Sequence, residues 1–385
     1  MQFAFTEEQD LIRDTARKFL AANAGSSQLR AAMTQSHAYD PDVWRAIAQE
    51  LGWCGIGIPE SMGGAGMGMV EQAILFEETG RCLLGTPLLA TAGFAAAVLH
   101  ETPESTERTE LLAAIACGNR CLALVATDDS GIAERYAVNA VTLGGSLRLS
   151  GHGAFVLSGD AADSLIVPAV TADGDLVIAQ VDLPAAGAVM RSQKALDLTR
   201  QYARIEFNDV VPSALLADGP QARRVWVRGV QVAQVALAAE QLGGAIGALE
   251  LTTTYVKERH QFGRPIGSFQ AIKHRLADML VECEAGKSAV YYAACVVDEW
   301  RSGTGTEYEL AQAAALVKSH CSDMFQNVAG NAIQLHGGIG FTWEYAAQLY
   351  FKRARASGNL LGTAQYHRER LAELIGLVTA AETTP

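Results

Sequence analysis

The chain has 385 residues, of which 49% are hydrophobic and 19% are charged, and its formal net charge is −12. This length allows two or three domains with a well-buried core, and the composition excludes a disordered or fibrous chain. The acidic balance argues against a nucleic-acid partner, because no basic stripe is available to bind phosphates.

Seven cysteines are scattered through the chain without the Cys-x-x-Cys spacing of a redox or zinc site, and the histidines form no i,i+4 metal pair. We therefore expect no disulfide framework, no bound metal and a cytoplasmic location. The first residues lack the basic flank and apolar run of a signal peptide. The uncharged stretch 230–239 contains two glutamines and is too short for a membrane span, so no membrane span is expected.

The sequence predicts three domains of different character. Residues 1–118 form an N-terminal helical domain: Thr6 and Gln9 have the spacing of a capping box, and helical apolar patterns recur over residues 43–51 and 70–81. Residues 217–385 contain long Ala- and Leu-rich periodic segments, which predict a C-terminal four-helix-bundle domain.

The middle domain, residues 119–216, consists of short β-rich runs separated by Gly, Asp and Pro turns. These runs cover residues 122–126, 141–149, 155–157, 164–170, 176–181 and 203–207. Such spacing is typical of a small antiparallel β-barrel or sandwich. The predicted fold class is therefore α+β with several domains.

Two motifs late in the chain carry the functional signal, Arg-His-Gln-Phe-Gly-Arg-Pro at 259–265 and Gln-Leu-His-Gly-Gly-Ile-Gly-Phe at 334–341. Arg259 ends a predicted helix and precedes a Phe-Gly turn, so its guanidinium is placed to contact a pyrophosphate through two donors. The alternative for Arg259 is a cation that caps the helix C-terminus. The glycine run allows a backbone or a cofactor to approach closely, because Gly has no Cβ.

In this order and at this separation, the two motifs resemble the flavin-binding half of the acyl-CoA dehydrogenase family, which also has the domain order helix, sheet, helix. The resemblance covers nearly the whole chain and implies FAD as the cofactor. The flavin-contacting positions that it implies are Arg259, Gln261, Phe262, Gln334, Gly337, Gly338, Thr363 and Gln365. In the family, the Arg and the residue two positions on contact the FAD diphosphate. The glycine run lies against the FAD of a neighbouring subunit, so a complete site implies an oligomer.

The middle domain departs from the family pattern at two places. The flavin-cradling Thr-Glu-Pro-x-Ala-Gly-Ser of the family is Thr-Asp-Asp-Ser-Gly at 127–131, and its Trp-Ile-Thr/Ser is Phe-Val-Leu-Ser at 155–158. Phe155 can still stack on a flavin ring as an apolar wall. Leu157 cannot donate a hydrogen bond, and Ser158 is the candidate substitute from one position further on.

The catalytic base is the open question of the sequence. Many members of the family carry a Glu where this chain has Leu361, and some carry their base at the position of Ala233. Glu240 is the only charged residue between residues 230 and 249. Burying a carboxylate in such an apolar helix costs free energy, and it is expected only where the carboxylate forms an ion pair or takes part in catalysis. Glu240 is therefore the candidate base. The alternative is a structural Glu that forms a salt bridge with an Arg from another helix.

Three further segments are expected to have structural roles. Residues 366–370 have the character of a solvated helix start, and residues 341–344 are expected to pack within the fold. Residues 196–200 precede a β-rich run and are expected to shape the domain junction.

The resemblance implies α,β-dehydrogenation of an acyl-CoA thioester, with electrons passed to an electron-transfer flavoprotein. It also implies a homo- or hetero-oligomer built as a dimer of dimers. The departures at the flavin and base positions point to the subgroup whose enzymes pair two different chains, including those that act on steroid side chains. Two alternatives stay open: a non-catalytic partner subunit, and a flavoenzyme of the same fold with non-dehydrogenating chemistry.

Overall fold

The computed structural model describes residues 5–35, 37–133 and 135–377. The first helix begins as the sequence predicts, because the side chains of Thr6 and Gln9 each accept a hydrogen bond from the other residue's backbone N–H. The helices that precede the first strand are α1 (Glu7–Asn23), α2 (Ser26–Ala32), α3 (Pro41–Arg45), α4 (Met69–Arg81), α5 (Ala96–Glu101) and α6 (Thr106–Ala116).

The helix predicted over residues 43–51 is confirmed only in part. Helix α3 ends at Arg45, and residues Ala46–Glu50 continue it as a π-helix. A second π-helix, Leu89–Ala95, leads directly into α5. The apolar periodicity thus locates these helical segments but does not distinguish the π from the α hydrogen-bonding pattern.

The middle domain is built around one sheet with the strand order β6-β7-β3-β2-β4-β5-β8, in which β1 also pairs with β4. Its strands are β1 (Leu122–Leu124), β2 (Val138–Leu143), β3 (Ser146–Leu157), β4 (Ser164–Thr171), β5 (Leu176–Asp182), β6 (Ala188–Gln193), β7 (Tyr202–Val210) and β8 (Ala214–Asp218). Most pairs are antiparallel, as predicted, but β1 and β2 run parallel to β4. The sheet is therefore mixed.

The sequence places some strands incorrectly. The run predicted over residues 141–149 divides between β2 and β3, which form a hairpin through Gly144 and Gly145. Strands β6 and β8 are absent from the sequence prediction because they are short and largely half-buried or exposed, with little apolar alternation.

The C-terminal region consists of long helices around a central one. They are α7 (Gly219–Glu258), α8 (Gln270–Arg301), α9 (Glu307–His336), α10 (Ala347–Asn359) and α11 (Ala364–Leu374), and a two-stranded hairpin, β9 (His260–Gln261) with β10 (Arg264–Pro265), joins α7 to α8. Helix α7 packs against α4, α8, α9 and α10. Its contact with α4 needs Gly243, because a Cβ there would lie 1.8 Å from the Glu77 carbonyl oxygen. By length and composition α7 resembles a membrane span, but 89% of its most apolar window is buried inside the protein.

Candidate functional site

The Arg259 hairpin presents the first group of predicted residues. Arg259 is the C-cap residue of α7, and its backbone N–H donates to the Tyr255 carbonyl at 2.8 Å. The β9–β10 turn places Phe262 at its tip with a φ of +54° and 91% exposure. The side chains of Arg259 and Gln261 are also exposed. The hairpin therefore holds a cation, an amide and an aromatic ring together at the surface.

The glycine run lies beside the same end of α7. Helix α9 ends at His336, whose buried ring stacks on Tyr255 with a centroid distance of 4.3 Å, and the Tyr255 hydroxyl donates to the His336 carbonyl at 3.3 Å. Gln334, Gly337 and Gly338 are exposed, and a Cβ on either glycine would meet no atom within 4 Å. We call these residues, with Arg259, Gln261 and Phe262, the Arg259 half-site.

The expectation that residues 341–344 pack within the fold is wrong for the two aromatic side chains. Phe341 is 75% exposed and Trp343 is 55% exposed, and Lys352 lies over the Trp343 ring at 4.6 Å. They extend from the glycine run into open space, so the Arg259 half-site is flanked by exposed aromatic surface. Large exposed apolar surfaces mark interaction sites, so these two rings are candidates for contact with another subunit.

A second group of residues surrounds the turn between α10 and α11, which we call the Leu361 turn (residues 358–363). Leu361 is buried and has a φ of +56°. Its carbonyl oxygen lies 2.8 Å from His367 Nε2 and accepts from Gln234 Nε2 at 3.4 Å. The Gly362 N–H donates to the carbonyl of Gly131 in the middle domain at 3.0 Å. The family's base position is thus well ordered but holds an aliphatic side chain.

The expectation that residues 366–370 are a solvated helix start is wrong for His367, which is buried. Thr363 caps α11 by accepting from the Tyr366 N–H at 3.2 Å, and Gln365 donates to Glu369 at 3.0 Å. Both side chains are on the protein surface.

The loop 127–131 links this turn to the end of β3. Thr127 exchanges two hydrogen bonds with Ala154, at 2.9 and 3.0 Å, next to Phe155. Phe155 and Ser158 both have a φ of +52°; Phe155 is 37% exposed, whereas Ser158 is buried. Together with the Leu361 turn and Gln365, Phe155 and Ser158 form what we call the Leu361 half-site.

The carboxylates of loop 127–131 are engaged within the middle domain. Asp128 Oδ1 accepts from the Ser130 N–H at 2.7 Å. Asp129 pairs with Arg204 at 2.5 Å and His152 at 3.0 Å, and the hydrogen bond from Arg204 lowers the pKa of Asp129. Neither side chain therefore supplies an unpaired base next to the Leu361 turn.

The two half-sites lie far apart within one chain. Gln234 contacts the Leu361 turn, whereas Arg259 ends the same helix 25 residues later. At 1.5 Å per residue, these positions are separated by roughly 37 Å along α7. The predicted cofactor residues therefore do not converge on one point in the subunit.

Glu240 lies on α7 between these ends, at 3% exposure. Its Oε1 accepts from Arg353 Nη1 at 2.6 Å and also from Arg200. Arg353 in turn lies 2.7 Å from Asp197 Oδ2 and donates to the Leu83 carbonyl at 3.0 Å. The Glu240 ion cluster, defined as Glu240, Arg200, Arg353 and Asp197, thus joins α7 and α10 to the segment before β7. These contacts favour the structural alternative for Glu240 over the base.

The buried polar residues near these sites that no sequence motif marks include Gln234, Lys318 and Arg353. Lys318 follows the apolar run 313–317, so the argument that selects Glu240, a lone charge in an apolar helix, also applies to it. Arg353 lies between Lys352 and Arg355 in a basic segment that has the pattern of a solvated helix. No sequence signal marks Arg353 as buried.

Within the ranges that the structure describes, no group of three or more His, Cys, Asp or Glu side chains is arranged to hold a metal ion. All seven cysteines are free thiols. Burial raises the pKa of the Cys121 and Cys321 thiols to about 12, so both are neutral and unreactive at physiological pH.

Comparison with known proteins gives a consistent picture. Family models for the N-terminal and C-terminal domains of acyl-CoA dehydrogenase match residues 6–119 and 224–376. The acyl-CoA dehydrogenase IpdE2 of Mycolicibacterium smegmatis is 34% identical over 366 residues, which are 95% of this chain and 98% of the relative.

Among solved structures, a variant of the Tcur3481-Tcur3483 steroid ACAD has 33% identity and a TM-score of 0.87, with coverage of 96% of this chain and 98% of that one. The ChsE4-ChsE5 complex from Mycobacterium tuberculosis has 25% identity and a TM-score of 0.87, with coverage of 99% and 100%. These similarities confirm the predicted fold class and extend over all three regions of the chain. The chain belongs to the acyl-CoA dehydrogenase family.

Proposed function

We propose that this chain is one subunit of an FAD-dependent acyl-CoA dehydrogenase in which two subunits form each flavin site. The observation that carries the proposal is the distance between the half-sites, roughly 37 Å along α7. Residues that serve the same cofactor must meet at it, so each half-site needs the complementary half from another subunit. The reaction is α,β-dehydrogenation of an acyl-CoA thioester, and the electrons leave to an electron-transfer flavoprotein.

The Arg259 half-site fits one end of a dinucleotide. The exposed guanidinium of Arg259 supplies charge-assisted donors for a diphosphate, and Gln261 supplies an amide beside it. The space next to Gly337 and Gly338 is open, so a cofactor can approach the backbone closely there. FAD, when bound, supplies the acceptor for the hydride that leaves the β-carbon of the substrate.

The Leu361 half-site fits the flavin ring less well. The Leu157 side chain has no donor to offer a ring, and the backbone N–H of the buried Ser158 donates to the Gln201 carbonyl at 3.0 Å. Phe155 remains as a half-exposed apolar wall. We therefore infer that this chain contributes mainly its Arg259 half-site, to an FAD whose ring is held by the other subunit.

Removal of the α-proton needs a carboxylate in a dry pocket that the thioester can reach. Leu361 and Ala233 have no acid–base chemistry, and Glu240 is engaged by two guanidiniums. We infer that the carboxylate belongs to the second subunit and that the assembly is heteromeric. The two-chain names of the Tcur3481-Tcur3483 and ChsE4-ChsE5 relatives support a heteromer, and the first makes steroid-derived acyl-CoA thioesters the substrates to test first.

The test is to purify the chain alone and after co-expression with each further acyl-CoA dehydrogenase chain of the same genome. We expect little flavin absorbance for the chain alone and stoichiometric FAD in one co-purified complex. That complex should transfer electrons from acyl-CoA thioesters to an electron-transfer flavoprotein. A chain that binds FAD fully and oxidises thioesters alone would restrict the proposal to a homo-oligomer, and a complex without flavin would overturn it.

A further inference from the structure

Lys318 on α9 is completely buried and lies against the Leu361 turn. Its Nζ donates to Ser322 Oγ at 2.9 Å, to the Gly362 carbonyl at 2.9 Å and to the Gly358 carbonyl at 3.2 Å. Within the described part of the chain, no carboxylate forms an ion pair with it. Burial lowers the pKa of Lys318 to about 7, which shows how costly a desolvated ammonium is at this place.

In the turn that Lys318 contacts, Leu361 has a left-handed backbone conformation. A left-handed conformation is unfavourable for Leu, and it persists only where the surroundings determine it. The surroundings here are the donors of His367 and Gln234 at the Leu361 carbonyl and the backbone hydrogen bond to Gly131. Lys318 adds contacts on both sides of Leu361.

The Leu361 side chain cannot gain or lose a proton, so these contacts cannot serve acid–base chemistry there. The turn does, however, touch the middle domain through Gly131, and it starts α11 with Thr363 at the protein surface. A fixed turn therefore sets the distance between the middle domain and the C-terminal helices at the Leu361 half-site. A buried amine with three hydrogen-bond acceptors and no ion-paired carboxylate is costly to maintain, and the geometry of the turn is what its contacts determine.

We propose that Lys318 is a positioning residue, whose Nζ fixes the Leu361 turn against the middle domain and thereby sets the geometry of the Leu361 half-site. The role of that half-site in the assembly rests on the proposed function. The positioning itself rests only on the contacts of Lys318 within this chain.

The test compares Lys318→Met with Ser322→Ala in the purified complex. Methionine keeps an apolar stem of similar length but has no donor, whereas Ser322→Ala removes one acceptor of the same ammonium and leaves both contacts to the turn. We expect Lys318→Met to increase hydrogen exchange in peptides covering residues 358–363 by about tenfold or more. Ser322→Ala should leave the exchange of these peptides unchanged.

Unchanged hydrogen exchange at the turn in Lys318→Met would overturn the proposal. Equal increases in the turn and throughout α9 would also overturn it, because they would indicate a general loosening of the core. If Lys318→Met does not fold, Gly362→Ala displaces the turn with Lys318 intact, because a Cβ there would lie 2.7 Å from His367 Nε2. This variant should increase hydrogen exchange in the same peptides while the rest of α9 stays protected, and unchanged exchange at the turn would overturn the proposal. A wild-type complex without flavin would contradict the proposed function but not the role of Lys318. The comparison of hydrogen exchange would still test that role.

Discussion

Burying a carboxylate such as Glu240 costs free energy that must be offset by pairing or explained by use. In this chain the offset is visible, because two guanidiniums reach the same carboxylate oxygen. Glu240→Gln removes the negative charge and leaves Arg353 and Arg200 with less compensation. We expect the free energy of unfolding to fall by about 3–5 kcal/mol, measured by urea denaturation.

The matched control is Glu250→Gln on the same helix, since Glu250 pairs with Arg81 at the surface. Its effect should be at most about 1 kcal/mol, because exposed ion pairs contribute little. If Glu240→Gln instead keeps full stability but its complex no longer reduces flavin with substrate, Glu240 acts as the base and the structural alternative is wrong.

Arg259 should determine flavin affinity. Arg259→Ala removes a charge-assisted contact to the diphosphate, and the affinity of the complex for FAD should weaken by about 1.5–3 kcal/mol. The measurement is a titration of the apoprotein complex with FAD. Arg264→Ala is the control for the loss of one charge in the same hairpin, because Arg264 lies over the Phe269 ring. Equal FAD affinity in Arg259→Ala and wild type would contradict the cofactor assignment.

At the scale of the element, the stability of helix α11 and the Leu361 turn should depend on pH because of His367. Burial lowers the pKa of His367 to about 4 and that of His100 to about 3, whereas both titrate near 6.5 in an unfolded chain. Between these values the unfolded state binds more protons, so stability is complete above about pH 6.5 and falls as the pH drops toward 4. Each histidine contributes a slope of at most about 1.4 kcal/mol per pH unit.

Urea denaturation at several pH values between 7.5 and 4.5 measures this slope. His367→Gln should reduce this slope and leave the part that His100 contributes, because Gln keeps a donor for the Leu361 carbonyl and does not titrate in this range. His274→Gln, at an exposed position on α8, should leave the slope as it is in the wild type. A slope that His367→Gln does not change would show that His367 titrates similarly in both states.

Most elements of the fold can be predicted from the sequence because they follow simple periodic patterns. The capping box at Thr6 and the end of α7 at Glu258 are both found where the sequence predicts them. Strands β6 and β8 cannot be predicted, because their side chains are held by pairing with β7 and β5 and not by an apolar pattern of their own. Parallel pairing of β1 and β2 with β4 is likewise decided by topology.

The site is predictable to the extent that it uses local motifs. The exposed Arg259 hairpin and the open glycines are evident from the sequence, because turn chemistry is local. The partners of Glu240 are not, since Arg200 and Arg353 come from segments 40 residues before and 113 residues after it. The exposure of Trp343 also escapes prediction, because an aromatic side chain in a sequence does not indicate whether it meets its own chain or another one.

At the scale of the whole molecule, the proposed function requires assembly, because the two half-sites of one chain lie far apart. The Arg259 half-site ends in exposed aromatic rings, Phe262, Phe341 and Trp343, which one subunit leaves uncovered. Closed symmetric association brings the two ends of α7 from different subunits together, which a monomer cannot do. We therefore expect light scattering of the flavin-containing complex to show an oligomer. FAD titration should give about one FAD for every two chains, because in the proposed heteromer this chain contributes only its Arg259 half-site to a flavin.

The same separation predicts an asymmetry that mutations in this chain alone should reveal. If only its Arg259 half-site contacts FAD in the heteromer, Arg259→Ala should release flavin from the complex, whereas Phe155→Ala should leave the flavin content unchanged. Phe155 is a suitable probe because it is partly exposed at the Leu361 half-site, so its truncation removes little core packing. Both complexes should keep the wild-type mass by light scattering. Equal loss of flavin in both variants would mean that both half-sites of this chain hold FAD, and the assembly would then be a homo-oligomer with two equivalent sites per dimer.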